Sequence, residues 1–127
     1  MLERLAAPDG VMAVRVTGQV SEADVAAAIG WMDEALNSHD KVHVFAETEG
    51  LTGADPSAIV HGLANGAHLL TRLRRFGRVA VVSEQRWVRA MSRLESAVLP
   101  GISYQVFDTP GRNAAFAWVC GPDAAEA

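Results

Sequence analysis

Four consecutive apolar residues, Val79-Ala80-Val81-Val82, flanked by Gly77-Arg78 and Ser83-Glu84, constrain this chain more than any other feature. The run is too short for a buried helix and offers no polar residue to water, so it reads as a strand covered on both faces. Strands of that kind sit centrally in parallel sheets, whose neighbours must be joined by crossover helices. The rest of the chain supplies such helices.

Leu2–Leu5 and Val11–Val16 are expected to be strands around the turn Ala7-Pro8-Asp9-Gly10, with Met12, Val14 and Val16 on one face and Arg15 on the other. Ser21 and Asp24 form a capping-box variant, and Val25, Ile29, Met32 and Leu36 recur at helical spacing up to Asn37. Val42–Glu47 follows as a strand, with Thr48–Ala54 expected as a loop. Asp55-Pro56 opens a second helix, with Asp55 as N-cap and Pro56 at the first helical position, whose inner stripe is Ile59, Leu63, Leu70 and Leu73. Gly62 and Gly66 within it each cost ~1 kcal/mol of helix stability, which implies a compensating close contact. Ser83 is expected to cap a third helix, with Trp87, Met91, Leu94 and Val98 inward and Pro100-Gly101 as its stop. Ile102–Phe107 is the last strand, and Thr109-Pro110 starts a final helix carrying Ala114, Phe116, Ala117 and Val119. The order β-β-α-β-α-β-α-β-α predicts an α/β fold: a single mixed, mostly parallel sheet of about five strands with about four helices. One domain over residues 1–120 and a frayed tail over 121–127 are expected.

Bulk properties fit that reading. Half of the 127 residues are hydrophobic and 20% are charged, which suits one domain with one core. No stretch is long and apolar enough to span a bilayer, and the start lacks the pattern of a secretory signal, so no stable membrane insertion is expected. The lone Cys120 suits a reducing compartment, and a cytoplasmic location is the expectation. The net charge of −4 argues against general nucleic-acid binding, but it is unevenly spread. Residues 1–71 hold ten acids against three bases, whereas residues 72–93 hold seven arginines against Glu84 alone.

No catalytic constellation or cofactor motif is visible, so no cofactor and no enzymatic activity are expected. His39 and His43 flank a strand start, and His61 and His68 lie seven apart; neither spacing suits a metal site, and solvated or locally hydrogen-bonded rings are expected instead. On a continuous helix, His61, Asn65, His68, Arg72 and Arg75 would share one polar face, with Arg86, Arg89 and Arg93 aligned on the next. Two readings stand: these are the wet faces of amphipathic helices, or they form a surface for an anion or an acidic partner. Gly50-Leu51-Thr52-Gly53 lacks the lysine of a phosphate-binding loop, and Cys120 lacks a base. Glu47 and Glu49 could pair for acid–base work, but as loop residues they are expected to be solubilisers. Trp31, Trp87 and Trp118 read as core or interface anchors.

The stretch Phe76–Trp87, then Leu99-Pro100-Gly101-Ile102-Ser103-Tyr104-Gln105-Val106-Phe107, and Ala115-Phe116-Ala117-Trp118 resemble the SpoIIAA-like family of small bacterial proteins. Gly18-Gln19-Val20-Ser21-Glu22-Ala23-Asp24 matches that family's entry to the first helix. The resemblance covers roughly residues 10–119 and implies a fold shared with STAS-type regulators and CRAL-TRIO lipid carriers. It implies a regulatory protein-interaction module with an unknown protein partner, expected as a homodimer. The alternative is a carrier or sensor of a small amphiphilic or anionic ligand, with a pocket under the second helix near Gly62 and Gly66; an enzyme using Glu47, Glu49 or His61 is the third reading. STAS switches carry a phosphorylatable Ser in an Asp-Ser-(Ser or Thr)-Gly motif that opens the second helix. This chain has Asp55-Pro56-Ser57-Ala58 there, a broken motif that leaves Ser57 as a candidate phosphoacceptor.

Overall fold

Five strands and four helices follow one another in the computed structural model, which describes residues 1–93 and 102–121. They are β1 (Leu2–Leu5), β2 (Val11–Val20), α1 (Glu22–Ser38), β3 (Val42–Ala54), α2 (Pro56–Asn65), β4 (Phe76–Ser83), α3 (Gln85–Arg93), β5 (Ser103–Asp108) and α4 (Arg112–Val119). Short 3-10 segments, Ala67–Arg75 and Thr109–Gly111, precede β4 and α4. The expected Leu94 and Val98 contacts, the Pro100-Gly101 stop and the tail after Gly121 lie outside the described residues.

The sheet order is β1-β2-β3-β4-β5, with β1 antiparallel to β2 and every later pair parallel. This is the mixed, mostly parallel α/β sheet that the strand–helix alternation predicts. Strand alternation sends its side chains to two cores. Met12, Val14, Val42 and Phe76 pack with Leu36 and Leu69 on one face; Ala13, Phe45, Ala80 and Val82 pack with Ala115 and Val119 of α4 on the other. Ala80 and Val82 are almost wholly buried, as a central strand requires. The capping box at Ser21 is complete: the Ser21 side chain accepts from the Asp24 N–H, and the Asp24 carboxylate accepts from the Ser21 N–H.

Four local expectations are corrected. Thr48–Ala54 is not a loop but the second half of β3: Gln19 pairs with Gly53 and Val20 with Ala54, across a register shift. Gly50 (φ 61°) and Gly53 (φ 145°) adopt backbone that other residues avoid, so the strand is irregular yet continuous. Leu51, buried in this extension, is clasped by the start of α3: its N–H donates to Glu84 Oε1 (3.1 Å), and the Trp87 indole donates to its carbonyl (2.9 Å). Second, the helix after Pro56 stops at Gly66, and the chain tightens into 3-10 turns through Arg75. Third, Ser83 does not cap α3. It ends β4, fully buried, and its hydroxyl donates to the Glu84 carbonyl. Fourth, Asp55 stands at the cap position of α2 without a capping bond from its side chain, which instead accepts from Gln19.

Candidate functional site

The polar stripe after Pro56 faces α1. Because the chain changes from α to 3-10 winding at Gly66, the helical arc expected for His61, Asn65, His68, Arg72 and Arg75 is not kept. Four of the five instead meet α1 one after another. His61 Nδ1 lies 2.5 Å from Glu22, and His68 Nε2 lies 2.8 Å from both Asp33 oxygens. Arg72 reaches Asn37 (3.3 Å) and, more loosely, Asp33 (3.9 Å). Arg75 donates to the carbonyls of Leu36, His39 and Asp40, so a guanidinium closes the C-terminal end of α1. Asn65 is exposed at the end of α2.

The two glycines explain how closely α2 approaches α1. A Cβ on Gly62 would stand 2.7 Å from Val25 Cγ1, and one on Gly66 would stand 3.0 Å from the Gly62 carbonyl and 3.5 Å from Ile29 Cδ1. Val25 and Ile29 occupy the space that missing side chains leave. The expected packing contact is therefore present, and the pocket expected beneath these glycines is filled.

With the seam closed, α2 presents Pro56, Ser57, Val60 and Ala64 to solvent; Val60 is 62% exposed. Ser57 stands in the first turn of this face. On α3, Arg86 and Arg89 are exposed, and the Arg86 guanidinium lies 5.3 Å over the Trp87 ring. Arg93 ends α3, and its side chain lies outside the described residues. Cys120 is half-buried, and burial pushes its thiol above the ordinary value, away from the reactive thiolate.

The largest correction concerns Glu47. It is no loop solubiliser: β3 carries it in the middle of the sheet, on the α4 side, 6% exposed. Arg15 of β2 donates from Nη2 and Nε (both 2.8 Å), and Arg112 in the first turn of α4 donates from Nε (2.5 Å). Arg15 also faces Glu3 (3.7 Å) and the exposed Glu49 (3.6 Å). Burial pushes the Glu47 carboxyl upward, but the bonds and charges of Arg112 and Arg15 outweigh it and hold the group below the ordinary glutamate range. Arg112 further lies 5.5 Å over the Phe45 ring, and Phe45 meets Phe116 of α4 edge-on at 5.1 Å. Neither Arg15 nor Arg112 stood out in the sequence; the only cue was that Arg15 falls on the opposite strand face from Met12 and Val14.

His43, expected to be solvated or locally hydrogen-bonded, is neither: it is buried, and Nδ1 accepts from the Arg78 N–H on β4 at 2.8 Å, 35 residues along the chain. A side chain on Gly77 would overlap its ring. Among the described residues no group of histidines, cysteines and carboxylates is spaced to hold a metal, and no helix is long and apolar enough to cross a membrane.

The chain is similar, at 20% identity and a TM-score of 0.65, to an uncharacterized DUF3478-family protein with a SpoIIAA-like fold from Shewanella loihica PV-4, over 94% of this chain and 93% of that one. That likeness establishes the fold alone. No curated protein matches the chain. The SpoIIAA-like family model matches residues 11–120 and so takes in both the α1–α2 seam and the Glu47 cluster. On that match, the chain belongs to the SpoIIAA-like family.

Proposed function

We propose that this chain is a non-catalytic protein-interaction module that takes its partner on the outward face of α2. One observation carries the reading: Val60, Pro56 and Ala64 stand in solvent while the neighbouring ionic groups, His61, His68, Arg72 and Arg75, are already matched by α1. Interface centres are depleted in charge, and a face whose charges are internally paired is cheap to desolvate. On two copies the same face would be self-complementary about a twofold axis, so self-association and binding of another protein compete for it.

The exposed Arg86 and Arg89 bias encounter toward an acidic partner, an effect on association rate more than on the final complex. Ser57 lies on the proposed face, where a phosphate would be favoured by the helix N-terminus and would block an apolar partner.

The test is capture of partners from extract by wild type, Val60→Asp and Ser57→Asp proteins, with sedimentation of each alone. Val60→Asp should keep the wild-type melting temperature, since an exposed site tolerates change within about 0.5 kcal/mol. It should also lose its partner, or its own dimer, at least ~10-fold. Equal capture and equal sedimentation by wild type and Val60→Asp would rule the face out.

A further inference from the structure

We infer that the depression between the β1–β2 turn and the end of α1 is a binding site for a small zwitterion of amino-acid type, carrying one carboxylate and one ammonium. It measures ≈ 150 Å³ and is floored by Val11, Met12 and Ala35. A cavity of that size holds a ligand of roughly benzene dimensions. It is well below the ~300–1,000 Å³ that larger organic ligands occupy, so a long-chain lipid does not fit.

The rim supplies both charges. Arg4 and Glu34 face each other at 3.9 Å with side chains 44% and 67% exposed. That distance is too long for a hydrogen bond, and an exposed pair of this kind is weak, so a ligand can take each partner at little cost. Arg4 is held in place by lying 5.7 Å over the Trp31 ring, which leaves its outer N–H groups preorganised for a carboxylate. Next to Arg4 the rim favours an ammonium. Glu34, Asp9 and Ser38 line it, at the negative end of the α1 dipole. His39 joins them. Its Nδ1 lies 3.3 Å from the Ala35 carbonyl, which can only accept, so the ring donates there from Nδ1 and that bond fixes its orientation on the rim. Gly10 lines the depression in the turn, where φ 84° favours glycine; a Cβ there would only touch the His39 ring (4.0 Å) and the Lys41 carbonyl (3.8 Å).

The site is independent of the α2 face. Titration of the full chain with glycine, alanine and serine, followed by amide NMR, tests it. The expected result is saturable shifts at Asp9, Gly10 and His39, with a Kd between ~10 μM and ~10 mM as befits so few ligand atoms. The N-acetyl and methyl-ester derivatives, which each lack one charge, should bind at least ~10-fold more weakly, as should Glu34→Gln and Arg4→Gln. Ala35→Leu should fill the depression; because that residue also touches the core, the two exposed rim variants carry the test if it fails to fold. Absence of saturable shifts, equal binding of the ester and acetyl forms, or unchanged binding by both rim variants would each overturn the assignment.

Discussion

Helices α2 and α4 are both fastened to their neighbours by acid–base contacts, yet the two fastenings differ in kind. Along α2 and the turns after it, His61, His68 and Arg72 meet Glu22 and Asp33 in water, with side chains between 34% and 61% exposed on the basic side. What holds α2 down is the close approach allowed by Gly62 and Gly66 against Val25 and Ile29. At α4, one buried carboxylate, Glu47, receives two arginines and sits beside the Phe45–Phe116 contact. Surface pairs lose little when broken because water replaces the partner; a buried carboxylate has no such replacement. The lesson is that the eye-catching stripe of charge is the weaker device, and a single glutamate is the stronger.

The comparison is sharpest at Glu47. Glu47→Ala should cost about 3 kcal/mol in urea unfolding, the lower part of the range for breaking a buried pair, since Arg15 and Arg112 can turn partly to solvent. A loss below ~0.5 kcal/mol would put Glu47 in the same class as the α1–α2 pairs. Gly62→Val should cost about 2 kcal/mol, because the new side chain meets Val25 before any helix propensity is gained. If Gly62→Val is neutral, the seam is looser than described.

Acid should bear directly on the Glu47 region. Glu47 is held below the ordinary glutamate value of 4.5, so its contribution is fully present above that pH and is lost as pH falls through the lower, folded value. Asp24 is shifted the same way, chiefly by the Ser21 backbone N–H, and adds to the same acid limb. Glu47→Gln should therefore flatten part of the stability loss below about pH 4.5 and leave the region above it parallel to wild type. An unchanged acid limb would contradict the ion-pair account. The smallest effect belongs to His68→Ala, expected within ~0.5 kcal/mol and further reduced by salt.

The sequence carried the frame because periodicity records burial. The unbroken run Val79–Val82 and the spacing Val25, Ile29, Met32, Leu36 each announced an element that the structure contains. The second half of β3 was hidden because Gly50 and Gly53, which permit its irregular backbone, also spell a loop. The stripe at His61, His68 and Arg72 was legible, but its acidic complement was not: Asp33 lies 35 residues before His68. Glu47 was least legible of all, since Arg112 is 65 residues away and no local pattern says that a glutamate will be enclosed. Pairings over such separations are set by topology, which a single sequence fixes only through the fold.

On the proposed reading, α2 turns an uncommitted apolar face outward while His61 and the basic groups of the turns after it are engaged by α1. Hydrogen–deuterium exchange of the wild-type chain, alone and bound to the partner that Val60→Asp fails to capture, tests it most directly. New protection is expected to be confined to α2, residues 56–65, with the Glu47 region unchanged. Protection centred instead on β1 and β2, or on α4, would place the interface elsewhere and contradict it.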